Sequence, residues 1–361
     1  LRGPREGFVE DLKTNMFLIR RRLATPKLTF ELLDAGRYTR TKIAVCFIDG
    51  IAEKRTIDRI KRQIKSIDID GIVESSYIAR FLEKNKLSLF SQVGSSEKPD
   101  IVVGKMLEGR VAIIVDGSPS VLTLPFLLYE NFQMSEDYYI KSYRASMLRF
   151  VRLFAFSFSL LLPAVYVALQ EHQYQLFPLK FLLSSLGSIY AIPLSATLEM
   201  LLIMAIFEIL NETSIRMPRY VSMALSVVGA IVLGEAAVSA GLFSISAVII
   251  VAVSTVGIYC VPDEINSSNI LRFVFVGIAG VLGIVGVILA VVALIAYVCS
   301  VNSYGTSFMS PYAPALLHDW QDGVFKAQIE EFEERPLSLP TQNRTRQRPA
   351  HKQARQDEED K

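Results

Sequence analysis

Between Leu153 and Val298 the chain carries four Lys or Arg residues only, Lys180, Arg216, Arg219 and Arg272, within a succession of long apolar runs. A run of roughly 20 apolar residues crosses the hydrocarbon core of a bilayer, where each backbone polar group must be satisfied internally, and helices do this for runs of such length. The predicted class is an α/β soluble N-terminal domain, then an all-α polytopic transmembrane bundle and a disordered polar tail. The expected boundaries are 1–145 for a cytoplasmic α/β domain and 146–300 for the membrane helices, in four to six apolar segments. A post-membrane segment at 301–330 and the tail at 331–361 complete the division.

The remaining composition excludes several functions. The 38 Lys and Arg residues face 36 Asp and Glu residues, giving a net charge of +2. The two signs are interleaved, so no nucleic-acid-binding patch is indicated. Cys46, Cys260 and Cys299 and three dispersed His residues form no metal-ligand spacing and no disulfide framework. No metal and no cofactor is expected. Walker spacing is absent, Ser118 lacks a nucleophile elbow, and Asp116-Gly-Ser-Pro is turn chemistry, so no enzyme is expected. The chain opens on Leu1 without an apolar h-region, and an upstream segment is expected.

Residues 1–40 read as an amphipathic helix with a polar start. Lys42–Ile48 is a buried strand, and Ile57, Ile60, Ile64 and Ile67 give 53–67 a helical apolar face. Ser75 caps a second helix reaching about Asn85. Val111–Val115 is another strand, Asp116–Pro119 its turn, and Val121–Leu124 a strand or an edge. Alternation of this kind predicts an α/β sandwich around one small sheet. The apolar segments are Leu148–Leu169 (interrupted by Pro163), Leu179–Ile192, Leu194–Leu210, Val221–Ala240, Phe243–Val261 and Ile270–Cys299. The last is long enough to tilt markedly or to project. Gly277, Gly280, Gly283 and Gly286 recur along it, which predicts close helix packing.

Lys141, Arg144, Arg149 and Arg152 ahead of the first span place the soluble domain inside. The tail carries Arg344, Arg346, Arg348, Lys352 and Arg355, which favours an inside tail as well. That requires an even number of crossings, so one apolar segment is expected not to cross fully. From about Glu330 the chain is charged and Pro-containing, the composition of disorder.

Glu199, Glu208 and Glu235 stand inside apolar segments and are the candidate ion-path residues. A carboxylate in hydrocarbon costs roughly 2.5–3.5 kcal/mol on insertion scales, so such groups face the bundle interior or water. A ring of Glu from identical subunits draws cations into a pore. The competing reading is a neutral, hydrogen-bonded packing residue, and Glu208 fits it by lying near its segment's end. Nine residues separate Glu199 from Glu208, half a helical rotation, so both cannot line one pore. Pro163, Pro193 and Pro262 are candidate hinges, with ordinary kinks as the alternative. Asp263-Glu264 reads as a solvated loop or an acidic vestibule.

Six stretches in order resemble one family. These are Arg2-Gly-Pro-Arg-Glu-Gly-Phe8, Glu108-Gly-Arg-Val-Ala-Ile-Ile-Val-Asp-Gly-Ser-Pro119, Ser135-Glu-Asp-Tyr-Tyr139, Glu208-Ile-Leu with Ile215-Arg-Met-Pro218, Gly229–Gly234 with Ala236-Ala237, and Met309-Ser-Pro-Tyr-Ala-Pro314. Together they resemble the A subunits of GerA-type spore germination proteins. The resemblance implies the inner membrane of dormant spores and a homo-oligomer forming an ion channel opened by nutrient. It also implies two partners, a transporter-like B subunit and a lipoprotein C subunit, besides membrane lipids. It implies a further stretch ahead of the first motif, and Glu235 stands where the family's Gln is expected. Arg2, Gly3, Pro4, Arg5, Glu6, Gly7, Asp116 and Gly117 are the motif residues expected to be structural, with Arg2, Arg5 and Glu6 as paired charges. Two other readings stay open: a secondary transporter, supported by the breaks at Pro163 and Pro193, and a non-conducting scaffold for signalling partners.

Overall fold

The computed structural model describes residues 3–86, 88–176 and 192–347. The chain forms two compact units. One comprises the residues up to Phe150 together with those from Tyr297 onward, and the other runs from Val151 to Ala296.

The first unit is built on a five-stranded antiparallel sheet. Its strands are β1 (Leu28–Ala35), β2 (Thr41–Ile48), β3 (Gly94–Ser96), β4 (Val111–Val115) and β5 (Val121–Leu124), in the order β1-β2-β4-β5-β3. Helices cover both faces. Ile43, Val45 and Phe47 of β2 join the core under α2 (Lys54–Lys65) and α3 (Ser75–Leu82). Ala44, Cys46 and Ile48 join the core under α1 (Leu12–Arg22) and α4 (Pro99–Leu107). Burial on both faces explains why β2 and β4 read as unbroken apolar runs. Val121–Leu124 is an interior strand rather than an edge, paired with β4 and β3.

The long N-terminal helix expected over 1–40 is replaced by α1 and β1. Asp11 caps α1 by accepting from the Thr14 amide at 2.8 Å, and Thr25-Pro26 stops helix propagation because proline disfavours the α conformation in the residue before it. At α3 the cap is Glu74, not Ser75. Its carboxylate accepts from the Ser76 amide at 2.7 Å, and the Ser118 hydroxyl donates to it at 2.8 Å. The helix ends at Leu82, short of Asn85.

The residues after the membrane stretch join this same unit. Strands β6 (Asn302–Ser303) and β7 (Thr306–Ser307) form a short hairpin. Ser303 accepts from the Phe126 amide at 3.2 Å and donates to the Gln92 carbonyl at 3.1 Å. Phe308 is fully buried between Phe90 and Phe126. Ordered contacts continue past Glu330, where composition places the tail. Arg335 donates to the Leu107 carbonyl at 2.7 Å, Gln342 to the Ile51 carbonyl at 2.9 Å, and Thr341 bridges Ala52. Backbone hydrogen bonds hold this stretch, which is why its polar composition gave no sign of it. Residues 348–361, with Arg348, Lys352 and Arg355, lie outside the described residues, as does Arg2.

The strongest tie is at Arg149. Its guanidinium is 1% exposed and donates to Asp137 at 3.1 Å, to Asp322 at 2.9 Å and to the Gly323 carbonyl at 2.7 Å. Lys326 closes the cluster on the Asp137 carbonyl at 2.9 Å. Arg149 was counted with Lys141, Arg144 and Arg152 among the basic residues that set the orientation of the first span. It is an internal cation, and Arg152 is buried too, while Lys141 and Arg144 remain exposed.

The second unit is helical. Its elements are α5 (Ser142–Glu171, entering from the first unit), α6 (Ala196–Arg216), α7 (Arg219–Ser239), α8 (Ile245–Ile258) and α9 (Ile265–Ser300, leaving to the first unit). Among the described residues, three helices are long and apolar enough to cross a membrane: Ser142–Glu171, Arg219–Ser239 and Pro262–Ser300. The α8 helix is apolar but shorter, and α6 carries four charged residues. The segment expected at Leu179–Ile192 lies outside the described residues except for Ile192. Pro163 does not interrupt α5, which runs through it. Of the four recurring glycines, Gly280 makes the expected close approach. A Cβ there would sit 2.2 Å from the Thr197 hydroxyl. Gly283 instead breaks α9 with φ of 62°, a conformation that glycine adopts without steric cost.

Two tests follow from this unit-by-unit packing. Arg149→Met removes the guanidinium shared by the buried carboxylates Asp137 and Asp322, and is expected to destabilise the first unit by roughly 3–5 kcal/mol. Adding Asp137→Asn and Asp322→Asn should recover much of that loss, read by thermal unfolding of the full chain in detergent. Burial works to raise the Glu74 pKa, but hydrogen bonds from Ser75, Ser76 and Ser118 outweigh it and hold the carboxyl at about 2. A depressed pKa contributes stability above the unfolded value and loses it as pH falls toward the folded one. Acid unfolding of the wild type should therefore steepen between about pH 4.5 and pH 2, and Glu74→Gln should flatten that limb of a circular-dichroism titration.

Candidate functional site

The polar interior of the second unit is organised by α6. Ser195 caps the helix by accepting from the Leu198 amide at 3.3 Å, which fixes the first turn and turns Glu199 inward. Glu199 is 2% exposed. Its carboxylate accepts from the amide of Ser244, and Ser244 in turn caps α8. Beside it, the Thr197 amide and hydroxyl donate to Glu171 at 2.8 and 2.7 Å. A cleft of ≈ 580 Å³ opens here, lined by Gln170, Glu171, Ser195, Thr197, Glu199 and Gly280 among others. Carboxylate, hydroxyl and amide oxygens replace part of the water shell of a hard cation, so the polar side of this otherwise apolar lining suits a cation or its hydrated form.

A second polar cluster sits on the other side of α6. Glu208 accepts twice from the Asn269 amide group, at 2.9 and 2.8 Å. Asn269 accepts from Arg272 at 3.1 Å, and Arg272 donates to the Ser254 hydroxyl at 3.0 Å and to that of Thr255 at 3.3 Å. The Ser254 hydroxyl in turn donates a hydrogen bond to the Ser159 carbonyl at 2.6 Å. The Arg272 side chain is 1% exposed, so α5, α6, α8 and α9 are joined through one buried cation. Nine residues at 1.5 Å rise separate the two clusters by about 13.5 Å along α6, and the half-rotation expected from spacing is what sends Glu199 to α8 and Glu208 to α9.

Glu235 is not with either. It is exposed, on the π-helical turn Val232–Ala236 of α7. Such turns insert one residue and re-aim the side chains around them. Pro193 lies in a bend ahead of the Ser195 cap, and Pro262 opens the short 3₁₀ turn that leads into α9. Of the pair expected in a solvated loop, Asp263 is exposed while Glu264 is 2% exposed, its carboxylate folded inward by the turn.

The motif residues belong to the first unit and hold its frame. Glu6 pairs with Arg21 and, at 2.9 Å, with Arg22, and the Arg21 guanidinium holds the Glu6 carboxyl below its usual pKa. Arg5 is exposed, as is Gly3, which takes φ of 119° beside the Tyr139 ring. Pro4 and Gly7 carry the chain to Phe8, whose amide donates to the Glu97 carbonyl at 2.8 Å. Asp116 accepts from the Leu12 amide at 3.2 Å, and Gly117 donates to the Glu10 carbonyl at 2.8 Å. Sequence reasoning missed Glu171 and the Arg272 relay. The available signal was a single Arg in an otherwise uncharged segment, three residues after Asn269 on the same helix face.

The whole chain can now be set beside known proteins. The family model described as Bacillus/Clostridium GerA spore germination protein matches residues 1–338. The chain belongs to the GerA family. It is 38% identical over 348 residues to spore germination protein KA of Bacillus subtilis (strain 168), covering 96% of this chain and 64% of that one. It is 34% identical to the uncharacterized membrane protein YfkQ of the same organism, covering 91% of this chain and 64% of the relative. Spore germination protein GerLA of Bacillus cereus is 34% identical, with 96% of this chain and 70% of the relative aligned. The GerA-family chain thus spans 64% of the length of the first two relatives. Among solved structures, the N-terminal domain of the A subunit of the Bacillus megaterium spore germinant receptor GerK3 is 39% identical, covering 34% of this chain and 98% of that one, with a TM-score of 0.29.

If the relay acts as one unit, Arg272 and Asn269 should be energetically coupled. A double-mutant cycle with Arg272→Met and Asn269→Leu is expected to show about 1 kcal/mol of coupling in detergent unfolding, within the range measured for polar pairs between membrane helices. Additive losses would mean that the two side chains are held independently.

Proposed function

We propose that the chain is the membrane A subunit of a nutrient-sensing spore germinant receptor, and that copies of it assemble into a cation channel whose opening starts germination. The observation that carries this reading is Glu199: a carboxylate 2% exposed, inside a unit of apolar helices, lining a cleft that also holds Gln170, Glu171 and Thr197. A charge is retained in such surroundings where it meets an ion path or a fixed partner. The helix Arg219–Ser239 supports assembly, since only 14% of its apolar window is buried within the single chain, and it presents the exposed Glu235. A carboxylate on that surface is stable beside water or a second subunit, not beside lipid tails.

The topology supports an even number of crossings. Both ends of the apolar stretch are held in one soluble unit, through contacts such as Arg149 with Asp322, so the stretch returns to the side it left. With Lys141 and Arg144 exposed at the start of α5, that side is the cytoplasmic one, and the membrane is the inner membrane of the spore. A transporter-like B subunit and a lipoprotein C subunit complete the receptor in this reading.

The test is conductance of the full chain in planar bilayers, alone and with partner subunits and a panel of nutrients. Wild-type protein should pass monovalent cations, and Glu199→Gln should lower the cation-to-anion permeability ratio by about threefold or more. A silent wild type under all these conditions favours the scaffold role. Current that Glu199→Gln leaves unchanged moves the path elsewhere, to the surface bearing Glu235.

A further inference from the structure

We propose that the exposed face of α2 rests on the anionic headgroups of the bilayer in which the chain is embedded. The helix is amphipathic: Ile57, Ile60 and Ile64 are buried against the sheet, while Lys54, Arg55, Arg59, Arg62 and Lys65 are exposed. Its single acid, Asp58, pairs with Lys61 at 3.3 Å, and Lys61 also neutralises Glu31 at 3.0 Å. Five cations on the outer face are therefore left without an acidic partner on their own helix. The nearby exposed Asp68 is taken by Arg37 at 2.6 Å. A shallow hollow of ≈ 410 Å³ between Arg59, Arg62, Gln63 and Ser66 offers two guanidinium groups, an amide and a hydroxyl, donors that suit a phosphate.

Tyr304 ties this face to the stretch of chain that follows α9. Its hydroxyl donates to Gln63, and the Arg59 guanidinium lies 5.2 Å from its ring centroid. Tyr304 follows Ser300, the last residue of α9, by four positions. From Phe273 to Val301 the chain has no charged residue, and the exposed Leu289, Val292 and Ile295 carry the apolar band close to the end of α9. Four residues span at most about 14 Å, against a polar layer of roughly 5–8 Å on each side of the hydrocarbon core and a Debye length of about 8–10 Å. A basic amphipathic helix tied to α9 by so short a stretch of chain is within reach of the surface potential of anionic lipids. The chain's own Asp357-Glu-Glu-Asp360 is the other anionic candidate. It follows Arg348, Lys352 and Arg355 closely, so it offers less net charge than a continuous lipid surface does.

The proposal is independent of whether the protein conducts. It is tested on the full chain in nanodiscs, with Cys260 and Cys299 replaced by Ser and a nitroxide on Ser66→Cys; Cys46 is buried and stays. A nickel chelate on a lipid headgroup reports the distance of the label from the bilayer. Discs with about 30 mol% phosphatidylglycerol should raise the relaxation by about threefold over zwitterionic discs, and salt at about 0.5 M should abolish the difference. Replacing the five cations by Gln should abolish it as well, while the salt and lipid comparisons on the cation-intact protein stand without that variant. Relaxation that is equal in both discs, or insensitive to salt, overturns the proposal. So does a label that is immobile but weakly relaxed, and is freed when Asp357, Glu358, Glu359 and Asp360 become amides, because the occupant is then this chain.

Discussion

A cation that cannot reach water organises the molecule. Arg149 is 1% exposed and takes one carboxylate, Asp137, from before the membrane stretch and another, Asp322, from after it. Neither acid alone completes the set of partners that a guanidinium needs inside a protein. Residues 173 positions apart are thereby made neighbours, and everything between them must leave and return. The hairpin β6–β7, the packing of Phe308 and the strap formed by Thr341 and Gln342 all build on that closure.

Within the helical unit the same physics recurs at lower dielectric. Hydrophobic burial distinguishes poorly between helix pairs when the surroundings are themselves apolar, so small residues and polar contacts select the partners. Gly280 against Thr197 and Gly257 against Ser159 allow close approach. The Glu199–Ser244 bond and the relay from Glu208 to Ser159 then fix which helices meet. One helix, α6, presents a carboxylate to each of two neighbours, which makes it the common element of both clusters.

Much of this was legible beforehand, for reasons that differ by residue. The β2 strand announced itself because layers on both sides remove the need for polar alternation. The opposed directions of Glu199 and Glu208 followed from helical arithmetic alone. In contrast, α1 and β1 merged into one expected helix, since Leu12, Leu18 and Ile19 set a period that the strand's partly alternating burial does not contradict until Pro26 is weighed. β3 is three small residues, Gly94–Ser96, whose strand character comes only from its partner β5. The order past Glu330 escaped notice because single acceptors hold it: Asp319 takes the amides of Leu337 and Ser338 at 2.7 and 2.6 Å, a pattern with no periodic trace. Arg272 was visible, but its partners are neutral and distributed over separate helices.

The break at Gly283 changes what kind of mechanical object α9 is. A continuous helix of 36 residues would extend about 54 Å, far beyond a hydrocarbon layer of about 30 Å, and could fit only by leaning as a whole. Divided at Gly283, it is two short rods joined at a pivot, and the pivot is touched by His172 and Gln173 at the end of α5. Each rod then takes its own angle to the bilayer normal, so the length of α9 is accommodated without one steep tilt of the whole helix.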